Sequence, residues 1–304
     1  CTAAFKIIRG APAVTADGFG ATMGKKMPEV LKADPSGVSQ LIFTSRSKEA
    51  DKEVVVPIDC ISCEEFANAF ELDDGRVILD IVAADRWDAG VSDDSRPHWE
   101  VEDPSQRPRR RLVRYEVDLS TKTYTSRELC GWHMGFTSVS KSVVGKRHRY
   151  IFGAVTHGSD VVGPMAGVAK VDTDSGEVDS WVPGPMEFGG EPLLVPREGA
   201  EDEDDAWLIT VVFDGAAERS DVVVLDARNV SQGPVCRFPL QKPVPHGLRS
   251  TWAEGMTYTS AEMKRKFVLL RMFNKKAGKW NASESSFSMI AKNPFFAKQG
   301  IKMR

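Results

Sequence analysis

No run of apolar residues in this sequence approaches eighteen, so it holds no candidate transmembrane helix. Cysteine is scarce: five in 304 residues do not make a disulfide scaffold. Histidine is as scarce. His98, His133, His148, His157 and His246 include no HExxH or other close ligand pair, and each taken singly reads as a surface or hydrogen-bonded residue. GxSxG, GxGxxG and P-loop strings are missing, which removes the usual support for hydrolase, dinucleotide and nucleotide readings. No long amphipathic helical pattern interrupts residues 53–254. A Rossmann or TIM-barrel arrangement, whose crossovers need helices, is therefore disfavoured. The opening "CTAAFKIIRGAPAV" has neither an initiator Met nor a clean signal-peptide pattern. It reads as a processed product or as a piece that begins inside a longer chain, and it gives no targeting address.

What is present suits a folded protein. Apolar residues make up 41% and charged residues 27%, enough for a sizeable core and against wholesale disorder. The net charge of −3 conceals an asymmetry. Residues 1–254 hold 29 basic and 41 acidic side chains, a balance of −12, while residues 255–304 hold 11 and 2, a balance of +9. The sequence thus divides into a body, 1–254, and a basic extension, 255–304. The extension is a solvated segment or a surface for anionic lipid; nucleic acid is not expected as a partner. Within it, Phe267–Phe273 ("FVLLRMF") is a candidate edge strand.

The body reads as short strands and turns. Residues 36–46, 53–59, 76–83, 111–118, 124–129, 149–155, 166–171, 205–213, 221–225 and 235–240 are rich in β-branched and aromatic residues. "DLSTKT" and "DTDSGE" each follow a strand ending in Val-Asp and supply polar turn residues. Many short strands with such turns indicate a sandwich, barrel or propeller. Two charged inserts, 93–110 and 198–206 ("EGAEDEDDA"), lack a hydrophobic period and read as surface loops. The second does not follow the EF-hand order of carboxylates. Cys60 and Cys63 form "CISC", but no βαβ frame surrounds them, and "EEFANAFE" after them reads as the opening of a loop.

Six strings in order carry a resemblance: "CISCEEFANAFE" (60–71), "VGKRHRY" (144–150), "GEPLLVPR" (190–197), "DDAWLITVVFD" (204–214), "DVVVLDA" (221–227) and "VPHGLRSTW" (244–252). Together they resemble the carotenoid cleavage oxygenase family, also called the retinal pigment epithelial membrane protein family, over about residues 35–252. The resemblance implies an all-β, seven-bladed β-propeller, of which residues 1–254 would form an incomplete arc of about four or five blades. It also implies O₂-dependent cleavage of a carotenoid or apocarotenoid double bond at a non-haem Fe(II). Four His on inner strands would hold that iron, and Glu residues hydrogen-bonded to the imidazoles would orient three of them. An apolar polyene is the implied substrate. Plastid or cytoplasm is the implied compartment, with peripheral membrane contact.

The chain departs from this pattern at the metal. Two of the ligand His positions fall before Cys1. The third aligns with Glu65 and the fourth with Arg249, while His246 sits three residues before the latter. Glu191 keeps one orienting glutamate, and Gly135 stands where another is expected. Arg249 has no acceptor and cannot ligate a cation. Glu191 is therefore the one cofactor-associated residue to be named, with no catalytic residue and no metal ligand. Glu65, Glu191 and Arg249 are expected near one axial cavity. Fe(II) is expected to be absent from this chain, leaving three readings: a polyene-cleaving enzyme, a member that keeps the fold as an apolar-ligand scaffold, or an unrelated propeller used for interaction.

Overall fold

The structure, a computed structural model, describes residues 2, 5–10, 14–24, 30–33, 39–47, 53–59, 62–84, 108–240, 243–244 and 250–252. All lie in the unit Cys1–Trp252. Arg249, His246, His98, Cys60, the insert up to residue 107 and the extension 255–304, with its candidate strand Phe267–Phe273, lie outside them.

The chain begins with β1 (Phe5–Gly10). A small hairpin of β2 (Val14–Ala16) and β3 (Leu31–Ala33) follows, with the short α1 (Gly18–Thr22) between its strands. Next come β4 (Ser39–Ser45) and β5 (Glu53–Ile58), and β1, β4 and β5 form the first sheet in that order. The second sheet is the antiparallel meander β6 (Ser62–Glu71), β7 (Val77–Ala84), β8 (Arg110–Asp118) and β9 (Thr123–Cys130). The third repeats it with β10 (Met134–Ser138), β11 (Tyr150–Val155), β12 (Gly167–Asp172) and β13 (Val178–Trp181). In the fourth, β14 (Glu187–Gly189) and β15 (Leu193–Pro196) both pair with β16 (Ala206–Asp214), which continues to β17 (Arg219–Asp226) and β18 (Pro234–Pro239).

Successive side chains of a strand point to opposite faces, and here each face meets a different neighbouring sheet. All eight residues of β7 are buried. Val77, Leu79, Ile81 and Ala83 pack with Leu41, Phe43, Val56 and Ile58 of the first sheet. Val82 packs instead with Leu112, Met134, Ile151 and Val155, toward the third. β12 is likewise buried throughout: Ala169 and Val171 join the second core, and Val168 joins the third with Phe152, Leu208, Val212, Val223 and Leu225. Such strands read as continuous apolar runs because both faces are covered. Three inter-sheet cores thus join four sheets into an open arc, the propeller arrangement expected from the sequence. Each of the ten strands expected in the body overlaps an observed one; the candidate strand Phe267–Phe273 lies outside the described residues.

One expectation is corrected. "EEFANAFE" is not a loop but most of β6, paired along β7 from Ser62↔Ala84 to Glu71↔Val77. The acidic insert 198–206 is a connection, as expected, yet its carboxylates clasp the third sheet and brace the ends of β15 and β17 in the fourth. Glu203 accepts the backbone N–H groups of Arg149 and Tyr150 at 3.0 and 3.1 Å. Asp204 pairs with Lys170 at 3.1 Å, and Asp205 pairs with Arg197 and Arg228 at 3.0 Å each.

Candidate axial site on the inner strands

A propeller turns the first strand of each blade toward its axis. In the second and third sheets these strands, β6 and β10, lie against each other and both are irregular. β6 loses register with β7 between Cys63 and Glu65 and again between Phe66 and Asn68, so Glu65 sits between two bulges. β10 shifts against β11 between Gly135 and Ser138. Inside that shift Phe136 takes φ 54°, a left-handed conformation that strains a bulky residue. The bulge takes Thr137 out of the ladder, and its N–H donates to Glu65 Oε1 at 3.1 Å. A hydrogen bond to a carboxylate contributes about 1.5–3 kcal/mol, so this contact is a real tie between two blades.

Gly135 completes the arrangement. A Cβ placed on it would lie 3.2 Å from Met165 Cε and 3.8 Å from Glu65 Oε1. The carboxyl group of residue 65 therefore lies against the space where a side chain on residue 135 would start.

Glu191 occupies a break in the first strand of the fourth sheet. Gly190 still bonds to β16, donating to Val211 O at 2.9 Å and accepting from Thr210 Oγ1 at 3.1 Å. Pro192 has no N–H to offer the ladder, and Glu191 between them is free to turn away. Its Oε2 accepts the Ser250 N–H at 2.6 Å. This bond joins the "GEPLLVPR" and "VPHGLRSTW" strings one residue beyond Arg249. The structure thus brings Glu65 to Gly135 and Thr137, and Glu191 to Ser250.

A buried polar cluster behind β6 escaped the sequence reading. Asn68, Asp80 and Arg114 lie in one cross-strand row of the second sheet. Asp80 Oδ1 accepts from Arg114 Nε at 2.7 Å and Oδ2 from Arg114 Nη2 at 2.8 Å. His148, from the connection before β11, approaches Asp80 Oδ2 with Nε2 at 2.9 Å, a pairing by distance rather than an aligned hydrogen bond. Its Nδ1 faces the Asn68 amide nitrogen at 2.9 Å. That nitrogen only donates, so when it gives a hydrogen to Nδ1 the imidazole proton sits on Nε2, toward Asp80. Asn68 also reaches Val143 O and Lys146 O at 3.1 Å each and accepts the Gly145 N–H at 2.9 Å. The side chains of Asp80 and His148 are wholly buried. Burial pushes the Asp80 carboxyl upward, but the Arg114 and His148 contacts outweigh it and hold it below its ordinary value. The sequence signal was the "NAFE" and "KRHRY" strings, which the fold places side by side.

The chain resembles several characterised proteins. It is 28% identical over 228 residues to an apocarotenoid-15,15'-oxygenase of Synechocystis sp., covering 74% of this chain and 45% of that one. It is 31% identical over 140 residues to a chloroplastic 9-cis-epoxycarotenoid dioxygenase of Arabidopsis thaliana, covering 45% and 23%. Over 155 residues it is 32% identical to a lignostilbene-alpha,beta-dioxygenase isozyme of Sphingomonas paucimobilis, covering 47% and 32%. The crystal structure of cobalt-substituted Synechocystis ACO superposes with a TM-score of 0.76 at 26% identity, covering 83% of this chain and 51% of that one. Residues 2–254 match the family described as retinal pigment epithelial membrane protein. The chain belongs to that family. It spans about half the length of the apocarotenoid oxygenase and of the solved structure named above. Among the described residues no helix is long and apolar enough to cross a membrane.

The resemblance expects histidine at two positions of this chain, 65 and 249. A carboxyl group stands at position 65, engaged by Thr137, and position 249 is an arginine. The described imidazoles are used elsewhere. His133 Nδ1 accepts the Arg110 N–H at 3.1 Å, His148 is in the Asp80 cluster, and His157 Nε2 meets Gly184 O at 3.0 Å. Among the described residues no three His, Cys, Asp or Glu side chains are grouped as a metal ion would need.

Proposed function

We propose that this chain is a carotenoid-oxygenase-type propeller segment that binds an apolar polyene and does not cleave it. The observation that carries this reading is Glu65, whose carboxyl group stands at a family ligand position and accepts the Thr137 N–H at 3.1 Å. An imidazole at that position would offer a neutral nitrogen to Fe(II). A carboxyl group with an arginine at the other ligand position gives a different donor set, and Glu191 is left without the imidazole it would orient. The relatives are named for apocarotenoids, epoxycarotenoids and lignostilbene, which share a conjugated carbon–carbon double bond, and the two carotenoid names favour a long apolar polyene. Residues 1–254 form the propeller segment in this reading, and 255–304 a basic extension that contacts membranes peripherally. One of the named relatives is chloroplastic, which makes a plastid a reasonable place to look for the protein.

The test is binding and turnover measured separately. The 304-residue chain is titrated with β-carotene and an apocarotenal, with tryptophan quenching reporting binding and polyene absorbance reporting cleavage. Saturable quenching with constant polyene absorbance under O₂ supports the proposal. Loss of polyene absorbance that depends on O₂ and stops with an iron chelator overturns it.

A further inference from the structure

We infer that His148 is a proton-responsive joint: a second ring proton makes it let go of Asn68, which loosens the 143–148 connection and, through Lys141, the 250–252 segment bonded to Glu191. The inference goes beyond the proposed function and does not depend on whether the chain binds a polyene.

Asn68 holds the connection at three backbone points. Its amide nitrogen donates to Val143 O and Lys146 O at 3.1 Å each, and its oxygen accepts the Gly145 N–H at 2.9 Å. Turning the amide over would set its oxygen against two carbonyls and its nitrogen against an N–H, so these contacts fix which end is which. The end that meets His148 Nδ1 at 2.9 Å is the donor. Nδ1 can accept it only while the imidazole is neutral. A charged ring carries a hydrogen on both nitrogens, and two donors would then face each other. Among the described residues the other acceptor near Nδ1 is Lys146 O at 3.5 Å, which Asn68 already uses. A protonated ring therefore displaces Asn68 or takes that carbonyl from it.

Charged groups approach the ring from several elements. Asp80 of β7 faces Nε2 at 2.9 Å and favours a charged ring, while Arg114 of β8 binds the same carboxylate and offsets that pull. Phe70 of β6 lies edge-on at 5.5 Å. Arg127 of β9 bonds Thr173 O, and Thr173 Oγ1 bonds His148 O. Arg149 pairs with Asp172, Glu203 holds the Arg149 N–H, and Lys146 turns its ammonium to Ser142 O. The contact that discriminates between the two ring states is the one at Nδ1. The connection then carries the change outward. It begins at the single turn Lys141–Val143, and Lys141 Nζ donates to Trp252 O at 2.9 Å. Ser250, in the same short segment, donates to Glu191 at 2.6 Å. A proton taken up between the second and third sheets is thus felt where the "GEPLLVPR" and "VPHGLRSTW" strings meet.

The test follows the ring and two amides together. The His148 imidazole is titrated by NMR from about pH 8 to about pH 5, the span in which histidine ordinarily changes charge. Hydrogen-exchange protection of Gly145 and Ser250, corrected for the intrinsic pH dependence of exchange, is measured on the same samples, with the ladder amides of β16 and β17 as controls. In the unaltered chain both protections should fall about 10-fold, the factor expected for losing one hydrogen bond, with the midpoint of the ring titration, while the controls hold. His148→Gln keeps a neutral donor and acceptor and takes up no proton, so both amides should stay protected throughout. Lys141→Met should keep the Gly145 response and abolish that of Ser250. The inference is overturned if His148 stays neutral across the span, or if either amide of the unaltered chain keeps its protection after the ring is charged. It is overturned equally if His148→Gln responds as the unaltered chain does, which would place the sensor elsewhere, with Glu191 the first to examine. Should His148→Gln fail to fold, the coincidence of the ring and Gly145 midpoints, with Lys141→Met, still decides. None of these readouts involves polyene, so failure here is distinguishable from failure of the proposed function.

Discussion

Asp80→Ala is the substitution to which this fold should be most sensitive. The carboxylate is completely buried, and it anchors Arg114 through two hydrogen bonds of 2.7 and 2.8 Å and His148 at 2.9 Å. Removing it leaves a guanidinium that is only 14% exposed and a fully buried imidazole without their partner. Breaking a buried ion pair from one side costs about 3–5 kcal/mol, because the other charge stays desolvated. That is a large part of the roughly 5–15 kcal/mol by which folded domains are stable, and it corresponds to a fall in Tm on the order of 10 °C. The loss should spread to the third sheet, since His148 and Asn68 hold the 143–148 connection. Urea unfolding followed by tryptophan fluorescence and by circular dichroism measures it. Asp74→Ala serves as the control, because its pair with Arg76 is at the surface, and it should leave the midpoint where it was. The pH dependence has a definite sign. A carboxyl held below its ordinary value contributes stability that is fully present above its unfolded pKa of about 3.9 and is lost as pH falls through the lower folded value. The unaltered chain should therefore lose more stability than Asp80→Asn as pH drops from 5 into that acid window. A cost below about 1 kcal/mol for Asp80→Ala would refute the claim that this cluster locks the two sheets together.

Other outcomes follow from the same geometry. Gly189→Ala should be among the least tolerated glycine substitutions, because a Cβ there would press into the Ala166 carbonyl; a Tm drop above about 5 °C is expected, in the range of overpacking costs. Glu203→Ala should loosen the acidic clasp and speed exchange of the Arg149 and Tyr150 amides, whereas Glu201→Ala, outside the bonds that tie that loop to the third sheet, should leave them unchanged. In liposome flotation with anionic vesicles, the full chain should float better than one lacking 255–304 at low salt, and the difference should vanish at high salt; equal flotation at low salt would remove the basic extension from any account of membrane contact.

Most of the ten legible strands cross the cores, whereas β9 and β18 are largely exposed and were legible from composition alone. β7, β12 and β16 carry the continuous or alternating apolar runs that burial between sheets demands. The first strands of the blades were not legible as strands. β6 contains Glu65 between two bulges, β10 is five residues with a left-handed Phe136, and the fourth blade's first strand is split at Gly190–Pro192. Bulges break the period of two on which strand reading depends, and they lie where side chains are aimed at the axis. Position in a motif, rather than periodicity, marked Glu65, Gly135 and Glu191. The Thr137 N–H could not be found that way, since a backbone donor leaves no trace in the residue type. The Asn68–Asp80–Arg114–His148 cluster needed the register of three strands and a loop before its members could be seen as neighbours.

The account turns on the donor set at positions 65 and 249, and iron per chain is the measurement that reaches it most directly. The 304-residue chain is purified, loaded anaerobically with Fe(II), desalted and analysed for iron, with O₂-dependent loss of β-carotene absorbance recorded on the same sample. The account predicts well below one iron per chain and no loss of polyene, and the same for Glu65→His alone, because Arg249 remains. About one iron per unaltered chain, with turnover abolished by a chelator, would contradict it and direct mutagenesis to His133, His157 and His246.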